Sequence, residues 1–120
     1  LGKRAADVSV ALALPPETPP RELRTIGGRN PLTGARVANL SPAMATELQM
    51  SLLSKGVVIV SVTAGTPSGG YGFQPGDIVR GVNGASIGRV SDLQRVLAST
   101  THWELVIDRA GRRLTLSVDG

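Results

Sequence analysis

The 120-residue sequence has no cysteine, which excludes disulfides and thiolate metal sites and leaves the redox compartment open. It has one histidine, His102, and no ligand cluster to go with it. A metal site needs several convergent ligands, so neither a metal nor any other cofactor is expected. The aromatic residues are Tyr71, Phe73 and Trp103 alone. Binders of single-stranded nucleic acid stack bases on aromatic platforms, and three scattered rings do not make one. Long apolar runs are missing too. Val57-Val58-Ile59-Val60 falls far short of the ~20 residues that a membrane span needs. The chain starts at Leu1 rather than Met, without a basic segment leading into an apolar one, and reads as a piece of a larger protein.

What is present is an ordinary globular composition. With 41% hydrophobic residues the chain can bury a core, and its length suits one domain. The net charge of +4 is spread over small clusters: Lys3/Arg4, Arg21/Arg24/Arg29 and Arg112/Arg113. Such spacing is that of a solvated surface, with an anion-binding patch as the alternative.

Punctuation along the chain divides it. Residues 7–14 alternate as a strand and then stop at Pro15-Pro16 and Pro19-Pro20. That run is a semi-rigid extended linker, so residues 1–20 form a tail and the compact domain spans 21–120. The segments 2–12 and 111–118 both set glycine and basic residues before a Val/Leu-rich strand. Either two hairpin strands are alike by chance, or the tail is the last strand of a preceding repeat.

Within 21–120, residues 35–40 form a weak strand, with Ala35, Val37 and Asn39 on one side and Arg36, Ala38 and Leu40 on the other. Neither side is a strong apolar stripe, which is the pattern of an edge. Ser41 and Pro42 start a short helix running to about Met50. Residues 56–62 are a β-branched central strand. Pro75-Gly76 make a type II turn with Asp77 tidying it, and Asn83-Gly84 a type I′ hairpin. A second helix covers 91–98, with Ser91 and Gln94 as a capping box. The strands 103–108 and 112–118 close the chain around Ala110-Gly111. The fold class is mainly β, a small barrel or sandwich capped by two short helices.

His102, Asp108 and Ser117 follow one another in the order of a trypsin-like triad, but all three fall in one hairpin with no nucleophile turn. No catalytic residue is assigned.

The stretch "YGFQPGDIVRGVNGASIGRVSDLQRVL" (71–97) resembles a PDZ domain of the bacterial kind. It carries Gly72, Phe73, Pro75, Gly76, Asp77 and Ile78, then Asn83-Gly84, then Ser91, Leu93 and Leu97. "NPLTGARVANLSPAMATEL" and the "PPETPPRE" linker resemble the front of the second PDZ domain of HtrA (Do-type) trypsin-like serine proteases and the connector before it. Two places depart from the pattern: Gly69-Gly70 weaken a helical turn, and small Ala35 stands where a larger apolar residue is usual. The resemblance implies a regulatory module that binds C-terminal or extended hydrophobic peptides by strand addition. The alternatives are an assembly module with a closed or vestigial groove, or the PDZ module of another envelope protein, an intramembrane metalloprotease or a secretion-system component. The resemblance also implies a periplasmic or envelope location, and the protease domain and other subunits of the parent as partners. Carried over by position, Leu32, Thr33 and Gly34 form the carboxylate-binding loop, with Arg29 near. Ala35, Arg36, Val37 and Ala38, continuing to Leu40, form the edge, and Val90, Leu93 and Leu97 the opposing wall. Gly34 serves equally as a plain turn glycine, and the leucines as plain core.

Overall fold

The computed structural model describes residues 17–51 and 54–119; the 7–14 strand and its likeness to 111–118 lie outside the described residues. Among the described residues, seven strands build one antiparallel sheet: β1 (Arg24–Thr25), β2 (Ala35–Asn39), β3 (Val57–Val62), β4 (Ile78–Val82), β5 (Ala85–Ser86), β6 (His102–Arg109) and β7 (Arg112–Asp119). Their order is β1-β2-β3-β4-β6-β7, with β5 paired to β4. Three helices of the described residues accompany them: α1 (Pro42–Glu47), α2 (Pro67–Gly70) and α3 (Val90–Ala98). The mainly β architecture is as expected, with one helix more.

That additional helix is α2, a single turn formed despite its two glycines. A Cβ at Gly69 would lie 2.9 Å from the carbonyl oxygen of Thr63. The glycine that lowers helix propensity is therefore what lets the turn approach the end of β3.

The sheet has a core on each face. Ala35, Val37, Val57, Ile59 and Val79 pack with Val90, Leu93 and Leu97 of α3. Ala38, Leu40, Val58 and Ile78 pack with Met44 and Ala45 of α1. The unbroken apolar run of β3 follows from this, because its alternating side chains enter two different cores. So does the weak pattern of β2: only Arg36 is exposed in that strand, and small residues suffice where two faces are covered. The expectation of a half-apolar edge is corrected here. β2 lies between β1 and β3, paired on both sides.

The turns are built as read. Ser41 Oγ accepts from the Met44 N–H at the start of α1. The Asp77 N–H donates to the Gln74 carbonyl across Pro75-Gly76, and Gly76 has φ +93°. Asn83 and Gly84 both have positive φ, as a type I′ turn requires. Asp77 does more than tidy its turn. Its side chain is buried, accepts from the Gln74 N–H, and accepts two bonds of 2.8 Å from Arg109, whose Nη2 also donates to the Gly72 carbonyl. The carboxylate raises the Arg109 pKa above its ordinary value. One buried anion thus fixes the turn before β4 to the end of β6.

The capping box of α3 does not form. The helix starts at Val90, and its N-cap Arg89 makes no side-chain capping bond. The Val90 N–H donates instead to Asn39 Oδ1, 2.8 Å away on β2. At the other end the Trp103 indole donates to the Leu97 carbonyl. The helix is thereby capped at each end by a side chain of the sheet. His102 pairs with Asp119, whereas Asp108 receives Arg80 and Arg113, so the hairpin does not assemble His102, Asp108 and Ser117.

Replacing Asp77 by Ala strands the Gln74 N–H and leaves Arg109 without its carboxylate. The expected loss is about 1–3 kcal/mol, read as a lower urea midpoint with unchanged slope. Asp108 supplies a pH signature. The Arg80 hydrogen bond, with Arg113 adding, holds its carboxyl below the ordinary 3.8. A depressed folded pKa gives stability that is complete above the ordinary value and lost as pH falls through the folded one. The thermal midpoint should therefore fall on acidification below about pH 4, and fall less in Asp108→Asn.

Candidate functional site

The loop before β2 is closed by its own polar groups. Asn30 Oδ1 accepts from the Leu32 N–H at 2.9 Å, and the Asn30 carbonyl accepts from the Thr33 N–H at 3.2 Å. The Ala35 N–H donates back to the Leu32 carbonyl at 3.0 Å, and Thr33 Oγ1 donates to the Gly28 carbonyl at 2.8 Å. This is an Asx-type turn. Within residues 32–35 it leaves one amide directed away from the turn, that of Gly34, which has φ +94°. A Cβ at Gly34 would meet the Thr66 side chain at 2.2–2.6 Å. The glycine is needed for its positive φ and for the close approach of the turn to Thr66.

The Gly34 N–H donates to the carbonyl of Ile26 at 2.9 Å. That bond is one end of a strap, residues 21–26, lying antiparallel along β2. The Ile26 N–H donates to the Ala35 carbonyl at 2.8 Å, Arg24 pairs with Val37 and Thr25 with Arg36, and the Asn39 N–H donates to the Arg21 carbonyl at 2.7 Å. The Ile26 side chain is 3% exposed and belongs to the same core cluster as Leu32, Ala35, Val37, Val90, Leu93 and Leu97. Burying such a side chain contributes about 1.5–3 kcal/mol. Leu23, Arg24 and Thr25 stay exposed, so Ile26 is the strap's one apolar anchor.

At the other end, Asn39 gathers three segments. Its side chain is buried, and Nδ2 donates to the Pro20 carbonyl at 2.9 Å and to Glu22 Oε1 at 3.1 Å, while Oδ1 caps α3. Glu22 sits at φ +48°, a left-handed conformation that costs a non-glycine residue about 1–3 kcal/mol. Beside it the Arg21 guanidinium donates to both Glu17 and Glu47. These bonds to Glu47 and Glu17 raise the Arg21 pKa further, and Arg21 holds the Glu47 carboxyl below its ordinary 4.5.

Past Ile26 the groove between β2 and α3 is incompletely filled. A cleft of about 530 Å³ opens between Gly27–Asn30 and the last turns of α3, lined there by Gln94, Leu97 and Ala98. Arg29, exposed, lines this cleft as well as a second one beside Tyr71 and Trp103.

Of the residues singled out from sequence, Leu32, Ala35, Val37, Val90, Leu93 and Leu97 come together, all buried around Ile26. Thr33 and Gly34 lie in the loop, with Gly34 alone directing its amide to the strap. Ala38 does not join them. Its side chain is in the opposite core under α1, and Arg36 is exposed. Neither Ile26 nor Asn39 was among the expected site residues. For Ile26 a signal existed, a β-branched pair at 25–26 between Pro20 and Gly27-Gly28. Asn39 gave none, since a buried cap from a distant strand leaves no local pattern.

Asn39→Leu should leave the Val90 N–H and the Pro20 carbonyl without these partners. The expected cost is about 1–3 kcal/mol in urea denaturation, together with faster hydrogen exchange at the Val90 amide. Asn39→Asp keeps an acceptor for Val90 but loses the donor to Pro20 and faces Glu22. It should protect Val90 while releasing the strap amides.

The family model for the PDZ domain matches residues 34–119. The probable periplasmic serine endoprotease DegP-like of Chlamydia pneumoniae is 31% identical over 74 residues, which is 62% of this chain and 15% of that protein. The mitochondrial serine protease HTRA2 of Drosophila ananassae is 32% identical over 92 residues, 71% of this chain and 22% of the relative. The chain therefore spans a small part of the length of these relatives. The crystal structure of the HtrA3 PDZ domain bound to the phage-derived ligand FGRWV superposes with a TM-score of 0.63 at 29% identity, covering 72% of this chain and 81% of that one. The matched region runs from the Gly34 turn to the end of β7, and the chain belongs to the PDZ domain family.

Proposed function

We propose that this PDZ domain is a non-catalytic peptide-recognition module that adds C-termini or exposed hydrophobic segments as a strand to β2, with an aliphatic side chain received against α3. The observation that carries the reading is the strap itself. An extended segment already lies there, with main-chain bonds to Gly34, Ala35 and Asn39 and with Ile26 in the pocket. Main-chain bonds give affinity in this mode and the pocket gives selectivity. FGRWV, the ligand of the HtrA3 domain, also ends in an aliphatic residue. By the same reading the parent is an HtrA/Do-type serine endopeptidase of the periplasm or cell envelope, and other parts of that parent, its protease domain and subunits, are partners. Residues 1–20 are then the tail strand and linker of a preceding PDZ domain, and 21–120 the domain itself.

The occupied groove also favours a second reading, an assembly module whose groove is closed. Titrating FGRWV into the isotope-labelled chain separates the two. Peptide recognition predicts shifts of the Gly34, Val37 and Leu93 amides and micromolar affinity, near about −8 kcal/mol once the strap is out of the way. Amidating the peptide terminus should weaken it, because Gly34 then faces a neutral group. If neither wild type nor Ile26→Asp shows these shifts, the groove is closed and the assembly reading stands.

A further inference from the structure

We propose that residues 21–26 are a built-in ligand of the groove, displaced by an incoming segment of the same chemistry, so that the domain gates its own binding. The inference rests on the peptide-recognition reading and adds to it what holds the groove shut and what opens it. The strap uses the main-chain groups of β2 that an added strand would use: the Gly34 N–H, the Ala35 carbonyl and the Asn39 N–H. It fills the α3-facing pocket with one side chain, Ile26.

The strap is also built to leave. It enters from Pro19-Pro20 and exits through Gly27-Gly28, and a Cβ at Gly27 would meet nothing within 4 Å. Its grip at the entry side consists of surface ion pairs from Arg21 to Glu17 and Glu47, and of Asn39 bonds around a left-handed Glu22. Surface pairs of this kind hold weakly. Beyond Ile26 the 530 Å³ cleft leaves room for an occupant to engage before the strap has gone. The displacing ligand is an extended segment with Ile, Val or Leu at the Ile26 position and no requirement on the exposed positions occupied by Arg24 and Thr25.

A tethered occupant competes at an effective concentration near millimolar, and an observed affinity falls by the fraction of open groove. If the strap is seated about 90–99% of the time, external binding weakens about 10–100-fold. The absence of native cysteine allows a direct test. Thr25 and Arg36 face each other across β1 and β2, so the full chain carrying Thr25→Cys and Arg36→Cys locks the strap when oxidised and frees it when reduced. The probe is fluorescein-labelled RELRTI, the strap's own sequence, read by polarisation. Expected are no binding to the oxidised form, recovery on reduction, and at least about tenfold tighter binding to Ile26→Asp than to wild type. The comparison of redox states within one protein does not depend on Ile26→Asp folding. Equal binding to oxidised and reduced forms overturns the gating while leaving peptide recognition intact. No binding to any form, reduced and Ile26→Asp included, removes the peptide-recognition reading and the gate with it.

Discussion

One buried amide holds the strap, the strand beneath it and the helix opposite in a common register. Asn39 Nδ2 donates to the Pro20 carbonyl and Oδ1 accepts from the Val90 N–H, so the entry of the strap and the first turn of α3 meet on one side chain. An unsatisfied buried amide is costly, and this one reaches its partners only when both segments are in place. The spacing between β2 and α3, which defines the groove, follows from that constraint. At the far end the Trp103–Leu97 bond ties the helix to β6. The strap is held mainly through its ends and Ile26, while α3 is held at its start by the same Asn39 and at its end by Trp103.

The same economy explains why β2 tolerates small and polar residues. A strand covered on one face by α3 and on the other by α1 needs little side-chain volume of its own, and Ala35 and Ala38 supply little. Ala35 and Ile26 are buried in the same core cluster and are joined by the bond from the Ile26 N–H to the Ala35 carbonyl.

Elements with local signals were legible in the sequence. The Ser41-Pro42 start, the Pro75-Gly76 and Asn83-Gly84 turns and the final hairpin all have local physical causes, and the structure contains them where expected. The α3 stripe Val90/Leu93/Leu97 was equally legible as a buried face. Elements set by distant partners were not. A Ser91 cap was expected because the sequence shows near neighbours, and Asn39 won because the fold brings it within 2.8 Å of Val90. The edge character assigned to 35–40 failed for the same reason: alternation describes the side chains of a strand but says nothing of which strands lie beside it.

An open β2 edge next to an apolar groove would be an invitation to any extended chain, including a second copy of this one. Pairing the edge with the strap removes that exposure. It does so with one anchored side chain and a strained entry rather than with a long, well-packed strand. A stronger strand would protect better and never yield, and no strand would leave the edge to aggregate. The two-residue length of β1, the left-handed Glu22 and the single buried Ile26 place the contact between those limits. On the proposed peptide-recognition reading, protection of the edge and selectivity for aliphatic peptides come from the same few bonds. On that reading, a segment that cannot match Ile26 in the pocket would gain too little to displace it.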